Sequence, residues 1–493
     1  MSTDPSSDDL LDRIRDAAEL LESIVDDRSV LAVADQQLRK RLLMAAGRAA
    51  RPSKDDRRKL ARAQRKRDRK QVVEHDTQLL DRTGIRRHRA NPIFQTPRRQ
   101  GTERPPPLGT LHDERTCYVC REKYTEVHHF YDHLCVPCGD LNYAKRDPVA
   151  DLSGRVALVT GARVKIGYQA AIQLLRNGAQ VEVVTRFPRD AARRYAAEPD
   201  FAEWGHRLHV HGVDLRHTPS VERLCQQLLQ RLDRLDVLIN NACQTVRRPA
   251  GFYGHLMELE LGPVSLLTEA EQSVLGVGAR AGDDQALVPM AGEGGSAALS
   301  QVPLLPEDLH QGGTLFPAGQ LDADLQQVDL RKINSWRLQM AEVSTVELLE
   351  VQLVNAVAPY VLNARLKPLM QAVPTNDAHV VNVSAMEGQF YRTFKSDKHP
   401  HTNMAKAALN MMTRTAALDY IEHGIHMNSV DTGWVTDEDP AVHAERKRAE
   451  HRFHPPLDIV DGAARIVDPF IDGVNTGKHV WGQFLKDYKP TDW

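Results

Sequence analysis

From about residue 153 onward, short apolar runs alternate with longer amphipathic segments. Val156-Ala-Leu-Val-Thr160 leads into the helical pattern of Tyr168-Gln-Ala-Ala-Ile-Gln-Leu-Leu, and Val181-Glu-Val-Val-Thr185 starts the next cycle. Strand-then-helix repetition of this kind predicts a parallel sheet covered by helices on both faces, an α/β fold of the Rossmann-type doubly wound class. The pattern breaks at an insertion of about 250–340. Within it, residues 278–325 are rich in Gly, Ala and Asp with little periodicity, and read as a long excursion or partly ordered flap.

The preceding 150 residues have a different texture. Leu10, Leu11, Ile14, Leu20, Leu21 and Ile24 recur at helical spacing and predict one amphipathic helix. Residues 36–70 have few apolar positions after Pro52 but many Arg, Lys, Ala and Gln, which favours a long solvated helix. The expected organisation is a charged helical region over 1–87, a Pro/Arg-rich extended linker over 88–111, a small metal-binding module over 112–150, and the α/β domain over 151–493.

Composition changes this picture in one respect. The chain has 493 residues and a formal net charge of −2, which excludes a chain that is basic throughout. The near-zero sum is a cancellation, because residues 1–35 are acidic and residues 36–70 basic. Such a basic run is able to bind phosphate backbones weakly. No aromatic residue interleaves it, so pairing with the acidic segment or a protein partner is favoured. No stretch of about 18 apolar residues appears, and the N-terminus lacks the regions of a secretory signal. A soluble cytoplasmic protein without a membrane partner is expected.

The six cysteines comprise two singles, Cys225 and Cys243, and two CxxC pairs, Cys117/Cys120 and Cys135/Cys138. Two knuckles each presenting two thiolates suit one tetrahedral zinc ion, and four sulfurs fill its sphere, so the expected zinc is structural. His128, His129 and His133 lie between the knuckles and are able to replace one cysteine. Tyr118, Tyr124, Phe130, Tyr131 and Tyr143 suggest that the module docks on the domain that follows.

The first strand runs into a turn, Gly161-Ala-Arg163-Val-Lys165-Ile166-Gly167, that opens a helix. Small residues there let the backbone approach a pyrophosphate beside the helix N-terminus. The second strand ends at Thr185-Arg186 with no acidic residue to take the adenosine ribose hydroxyls. Arg186 with Thr185 suits a 2′-phosphate, which favours NADP(H) over NAD(H). Asp214-Leu215 follows the third strand, where it is able to meet the adenine edge. Leu235-Asp-Val-Leu-Ile239 then runs into Asn240-Asn241-Ala242-Cys243.

With these elements in place, residues 153–493 resemble the short-chain dehydrogenase/reductase family. Its TGxxxGxG turn is matched by Thr160, Gly161 and Gly167. Lys165 stands at the middle glycine, as in the pteridine-reductase branch. Its NNAG element corresponds to Asn240, Asn241 and Ala242, with Cys243 last. The resemblance implies cofactor contacts from the turn, Asn241, Ala242, Lys406, Gly433 and Thr436. It implies a water relay through Asn355, a carbonyl/alcohol substrate, and a homo-oligomer formed through helices over 345–370 and 402–422.

The family's Ser-Tyr-Lys chemistry is only partly matched. Lys406 takes the lysine place in Thr402-Asn-Met-Ala-Lys406, but Thr402 stands where the tyrosine belongs. The family's serine falls at Ala385, with Ser384 one residue earlier on the opposite side of the strand. A literal YxxxK, Tyr391 to Lys395, precedes the helix and is read as coincidental spacing, although its loop is long enough to fold Tyr391 back. His399 and His401 are further candidates, since imidazole transfers protons near neutral pH, although a polar loop contact is favoured for either alone. The expectation is an NADP(H)-dependent oxidoreductase with a modified centre, in which Ser384, Thr402 or Tyr391 contacts substrate. The rival is an NADP(H)-sensing scaffold that engages partners through its N-terminal arm and metal module.

Overall fold

In this computed structural model the described residues are all except 1–6, 99–104, 277–294, 310–314, 392–394, 437, 441–442, 444–445 and 447–453. The chain divides into two units, residues 1–76 and 77–493. The first is helical: Ser7–Asp26 and Gln36–Ala50, then the start of Lys54–Asp81. The single helix expected over 36–70 is therefore two. Pro52 has no N–H to continue the first, and the Asp56 N–H is capped by Ser53 Oγ at 3.1 Å to begin the second. Ion pairs seen here, such as Arg15–Asp12, Arg58–Asp55 and Lys70–Glu74, are local to one helix.

In the second unit, a hairpin of β1 (Gly109–Thr116) and β2 (Lys123–Val127) and the helix Val136–Lys145 form the cysteine knuckle. The helix Gly84–Ala90 is bonded to it, Gly84 N to His129 O at 3.1 Å and Ile85 N to Phe130 O at 2.9 Å. The segment expected as a free linker is strapped down over part of its length. Phe94 N donates to Ala323 O, Thr96 Oγ1 to Glu198, and Arg176 to Pro97 O. These bonds satisfy backbone and side-chain groups that a solvated linker would leave to water.

The main sheet has eight strands: β3 (Val156–Thr160), β4 (Gln180–Thr185), β5 (Leu208–Gly212), β6 (Val237–Asn240), β7 (Ala378–Ser384), β8 (Ile425–Asp431), β9 (Phe484–Lys486) and β10 (Lys489–Thr491). Their order is β10-β9-β8-β7-β6-β3-β4-β5, parallel apart from the last hairpin. Alternation assigns the faces. Ala157 and Val159 join a core with the helices Lys165–Arg176 and Ile459–Thr476, while Val156 and Leu158 join the opposite core. That second face is covered by Thr218–Arg231, Thr345–Gln371 and Pro400–Ile421.

Thr345–Gln371 is, by length and composition, apolar enough to cross a membrane. Its Val354, Ala358, Leu362, Leu366 and Leu369 instead pack on the sheet. Part of the insertion is ordered as a satellite core, with Ala297 and Phe316 against Phe187, Phe252, Tyr253 and Leu256. Within the expected flap, residues 278–294 and 310–314 lie outside the described residues.

Candidate active site

The cofactor turn is defined by two glycines. Gly161 has φ +66°, and a Cβ there would lie 2.7 Å from Ala242 Cα. A Cβ at Gly167 would meet Asn241 Nδ2 and lie 2.6 Å from Gly161 O. Only hydrogen fits at either place. Asn241 Nδ2 donates to Thr160 O and Gly161 O at 3.0 and 3.2 Å, and Ala242 N donates to Thr160 Oγ1 at 3.0 Å. The turn and the Asn-Asn-Ala segment are thus one piece. Gly167→Ala is expected to force them apart, at about 1–3 kcal/mol for overpacking. Fluorescence titration should show NADPH affinity falling about tenfold or more.

Arg163 is anchored to Asp190 at 2.6 Å and to Gln326 at 3.2 Å. Lys165, at φ +58°, opens the helix. Burial alone would lower its pKa, but Glu438, Asp324 and Asp322 hold it above the ordinary lysine value. Ile166 packs with Val435, Leu457 and Val460 in the core that also holds the knuckle's aromatic residues. Arg186 lies over the Tyr253 ring, 4.8 Å from its centroid, and donates to its hydroxyl at 2.8 Å. Ser296 of the insertion bonds Arg186 O. Asp214 is held by Arg216, which also reaches Glu350 at 2.8 Å. Leu215 is buried in the second core.

At the carboxyl ends of β7 and β8 the expected catalytic residues separate into two groups. Lys406 Nζ donates to Val383 O at 2.7 Å, and Lys406, Thr402 and Ser384 are all buried. Ser384 Oγ and Thr402 Oγ1 have no hydrogen-bond partner among the described residues. A buried hydroxyl left unpaired costs about 1–3 kcal/mol, so both suit polar atoms of a ligand. Tyr391, by contrast, is half exposed, and its neighbour Phe390 is exposed as well. Lys395, its YxxxK partner, bonds Glu387 O. His399 stacks on Trp336 at 3.9 Å and His401 Nε2 lies 3.4 Å from Glu347.

Two details refine the resemblance. Asn355 sits in a π-turn, Leu353–Val357, that interrupts its helix. Both its amide atoms are used by the backbone of Gln244, at 2.7 and 3.2 Å, so it fixes the loop after Ala242. The strand conformation continues through Ala385 (φ −160°, ψ 161°), so Ser384 stays on the face of Asn382 and does not swing into the family's serine position.

Sequence reasoning missed Asp431, although it lies in the quoted Ile425–Thr436 segment. It pairs in register with Ser384. Two residues earlier, Asn382 and Ser429 both bond Thr413, which assigns this face to the helix Pro400–Ile421. Burial pushes Asp431 up to about 6, against the opposing pull of Lys486. Its signal was a carboxylate ending an apolar strand.

Gly433 (φ +76°) and Thr436 follow, with Thr436 Oγ1 donating to Glu438 at 2.7 Å. The knuckle reaches this loop directly, because Trp434 N donates to Tyr118 Oη at 3.0 Å. Burial pushes the Tyr118 phenol up to about 12. It is therefore a strut, unsuited to proton exchange near neutrality.

The four cysteine sulfurs lie within 4.8 Å of one another, with Cys120 and Cys135 3.7 Å apart. Zn–S bonds of about 2.3 Å in a tetrahedron require roughly 3.8 Å between sulfurs. Their donors and spacing fit zinc. The cluster consists of the four cysteines without His128, His129 or His133, and His128 Nδ1 is taken by Phe130 N and Tyr131 N.

The arrangement is that of a doubly wound α/β protein with a candidate nucleotide and redox site at the carboxyl ends of its strands. The family model for short chain dehydrogenase matches residues 155–254, and that for enoyl-(acyl carrier protein) reductase matches residues 332–456. An uncharacterised protein, R665, of Acanthamoeba polyphaga mimivirus is 31% identical over 371 residues, spanning 72% of this chain and 71% of its own. The chain belongs to the short-chain dehydrogenase/reductase family.

A hydroxynaphthalene reductase-like protein, Arp2, of Metarhizium guizhouense is 36% identical over 98 residues, or 20% of this chain and 36% of that protein. Mouse retinol dehydrogenase 14 is 34% identical over 116 residues, 20% of this chain and 34% of its own. The chain thus matches about a third of the length of these two relatives. Among solved structures, a short chain dehydrogenase from Burkholderia cenocepacia in complex with NADP is 17% identical, with TM-score 0.42 over 68% of this chain and 97% of that one.

Proposed function

We propose that this protein binds NADP(H) and interconverts a carbonyl and an alcohol in a centre altered from the family's. The observation that carries this reading is the glycine cradle of Gly161 and Gly167 against Asn241 and Ala242, next to two unpaired buried hydroxyls. NADP(H) is favoured over NAD(H) by Arg186 at the end of β4. The nearby carboxylates Asp190 and Asp214 are already engaged by arginines.

When bound, the cofactor supplies or accepts hydride. Lys406 places its ammonium at the end of β7, Ser384 and Thr402 orient the substrate oxygen, and Asn355 holds the loop after Ala242. We assign proton exchange to Asp431, whose raised pKa suits a general acid near neutrality better than an aliphatic hydroxyl does. A structural zinc ion in the four-cysteine knuckle belongs to the same proposal. So does self-association through the helices Thr345–Gln371 and Pro400–Ile421, which expose Leu349, Tyr360, Met404, Met411 and Leu418.

Arg186→Ala is expected to weaken NADPH about 10- to 100-fold, the worth of a lost charge-assisted contact. NADH affinity should change less than twofold. Equal losses for both would refute the 2′-phosphate assignment. A second reading, cofactor binding without turnover, is favoured by Thr402 and Ala385 at the family's tyrosine and serine places. Tight NADPH binding with no reduction across a carbonyl panel would establish it. Residues 36–70 and the knuckle would then serve a protein partner; steeply salt-dependent binding to generic DNA or RNA would point to nucleic acid instead.

A further inference from the structure

A second cluster of metal-ligating side chains lies at the opposite end of the sheet from the nucleotide turn. His379 is the second residue of β7 and His426 the second of β8, and the two are paired in register. His479 follows the helix Ile459–Thr476 and turns back over them. One ring nitrogen from each histidine lies within 4.8 Å of the other two. We propose that His379, His426 and His479 form a binding site for a divalent transition-metal ion of the zinc class, separate from the cysteine knuckle.

The geometry suits one ion. A metal–nitrogen bond of about 2.0–2.1 Å places each imidazole centre roughly 3.2 Å from the ion, so tetrahedral ligation sets ring centres about 5.2 Å apart. The observed centroid separations are 5.0 Å for His379–His426, 5.2 Å for His379–His479 and 4.8 Å for His426–His479. His379 Nε2 and His479 Nδ1 are 2.9 Å apart and share one proton in the metal-free arrangement. An ion replaces that proton and opens the pair by a few tenths of an ångström.

The surroundings match what such a site needs. His379 is fully buried, and its Nε2 faces His479 Nδ1 across the centre of the triad. His426 Nδ1 lies 3.3 Å from Ala378 O, an outer contact that fixes the ring and leaves Nε2 for the ion.

An entry path exists. His479 lines an open groove of about 700 Å³ with Arg414, Leu418, Trp481 and Pro490. Gly473 is where the helix passes His479, and a Cβ there would collide with its Nδ1. Three nitrogens leave the fourth position to water from the groove. The ion would clip the segment after Thr476 to the two central strands.

The test uses the full-length protein with its knuckle loaded with zinc. Cobalt(II) is titrated in, and bound metal is counted after gel filtration. One further equivalent per chain is expected, with a visible d–d band and no thiolate charge-transfer band. His479→Ala and His426→Gln should each lose that equivalent while keeping the knuckle's zinc, and Cys120→Ser should keep it. His479 is partly exposed, so its replacement leaves the core strands intact. No second equivalent in the unmutated protein, or one that survives both histidine replacements, would overturn the proposal.

Discussion

Replacing Cys117 with serine is expected to remove the cofactor site together with the zinc. Cys117 is fully buried, and its Sγ accepts from Cys135 N at 3.4 Å. The knuckle core it belongs to, with Tyr131, Phe130 and Leu134, is continuous with Val435, Leu457, Ile459 and Val460 of the loop and helix beside the nucleotide turn. Polar ties run the same way. Arg146 grips Asp458 at 2.7 and 2.9 Å and Asp461 at 2.9 Å, Tyr131 bonds Asp461, and Arg89 bonds Leu457 O at 2.8 Å.

Zinc in such a site contributes about 10–16 kcal/mol to the fold of its module, as much as the net stability of a whole domain, about 5–15 kcal/mol. Its loss should therefore unfold the knuckle and release Trp434, Val435 and Leu457, which pack against it. Metal analysis should show one equivalent of zinc missing, calorimetry a Tm lower by about 10 °C or more, and titration an NADPH affinity at least tenfold weaker. Cys225→Ala, in the separate core under the helix Thr218–Arg231, should leave zinc content unchanged. Full NADPH affinity after zinc loss would show the knuckle to be a mere appendage.

That coupling was only half legible in the sequence. The CxxC spacing marked a four-cysteine cluster and the aromatic residues around it marked docking, but the partner surface, Val435 and Leu457–Val460, is about 300 residues or more away in the chain. The sheet was readable because parallel strands buried on both faces are continuous apolar runs, and the glycine turn because a close backbone approach admits only glycine. The histidine triad had no such mark. His379 and His426 look like ordinary polar positions at strand starts, and only the parallel register sets them side by side. The strap of residues 94–97 was invisible for the opposite reason: Pro- and Arg-rich composition signals an extended backbone but not what it lies against. Asn355 was found by resemblance, and only the structure shows that its amide also holds the backbone of Gln244.

Asp431→Asn is expected to make the protein more stable and less active. The carboxyl titrates at about 6 in the fold because burial disfavours its charge, with Glu387 and Asp487 adding to the rise and Lys486 and Arg465 opposing it. In the unfolded chain it titrates near about 3.9. The folded state therefore holds the proton more tightly. Its stabilising contribution is complete below about pH 4, declines as pH rises through about 6, and is absent above. Two pKa units correspond to about 3 kcal/mol. Denaturant unfolding at pH 7.5 should accordingly find the asparagine variant more stable by about 2–3 kcal/mol, with the gap closing by pH 4. A variant with the original pH slope would show that another group carries it. A buried acid that costs the fold this much beside Ser384 is consistent with a working role, since functional groups are commonly held at the expense of stability. The same substitution should lower turnover at least a hundredfold, as expected for removal of a general acid, with NADPH affinity within twofold. Unchanged turnover would return Asp431 to a structural part and leave proton transfer to His399 or His401.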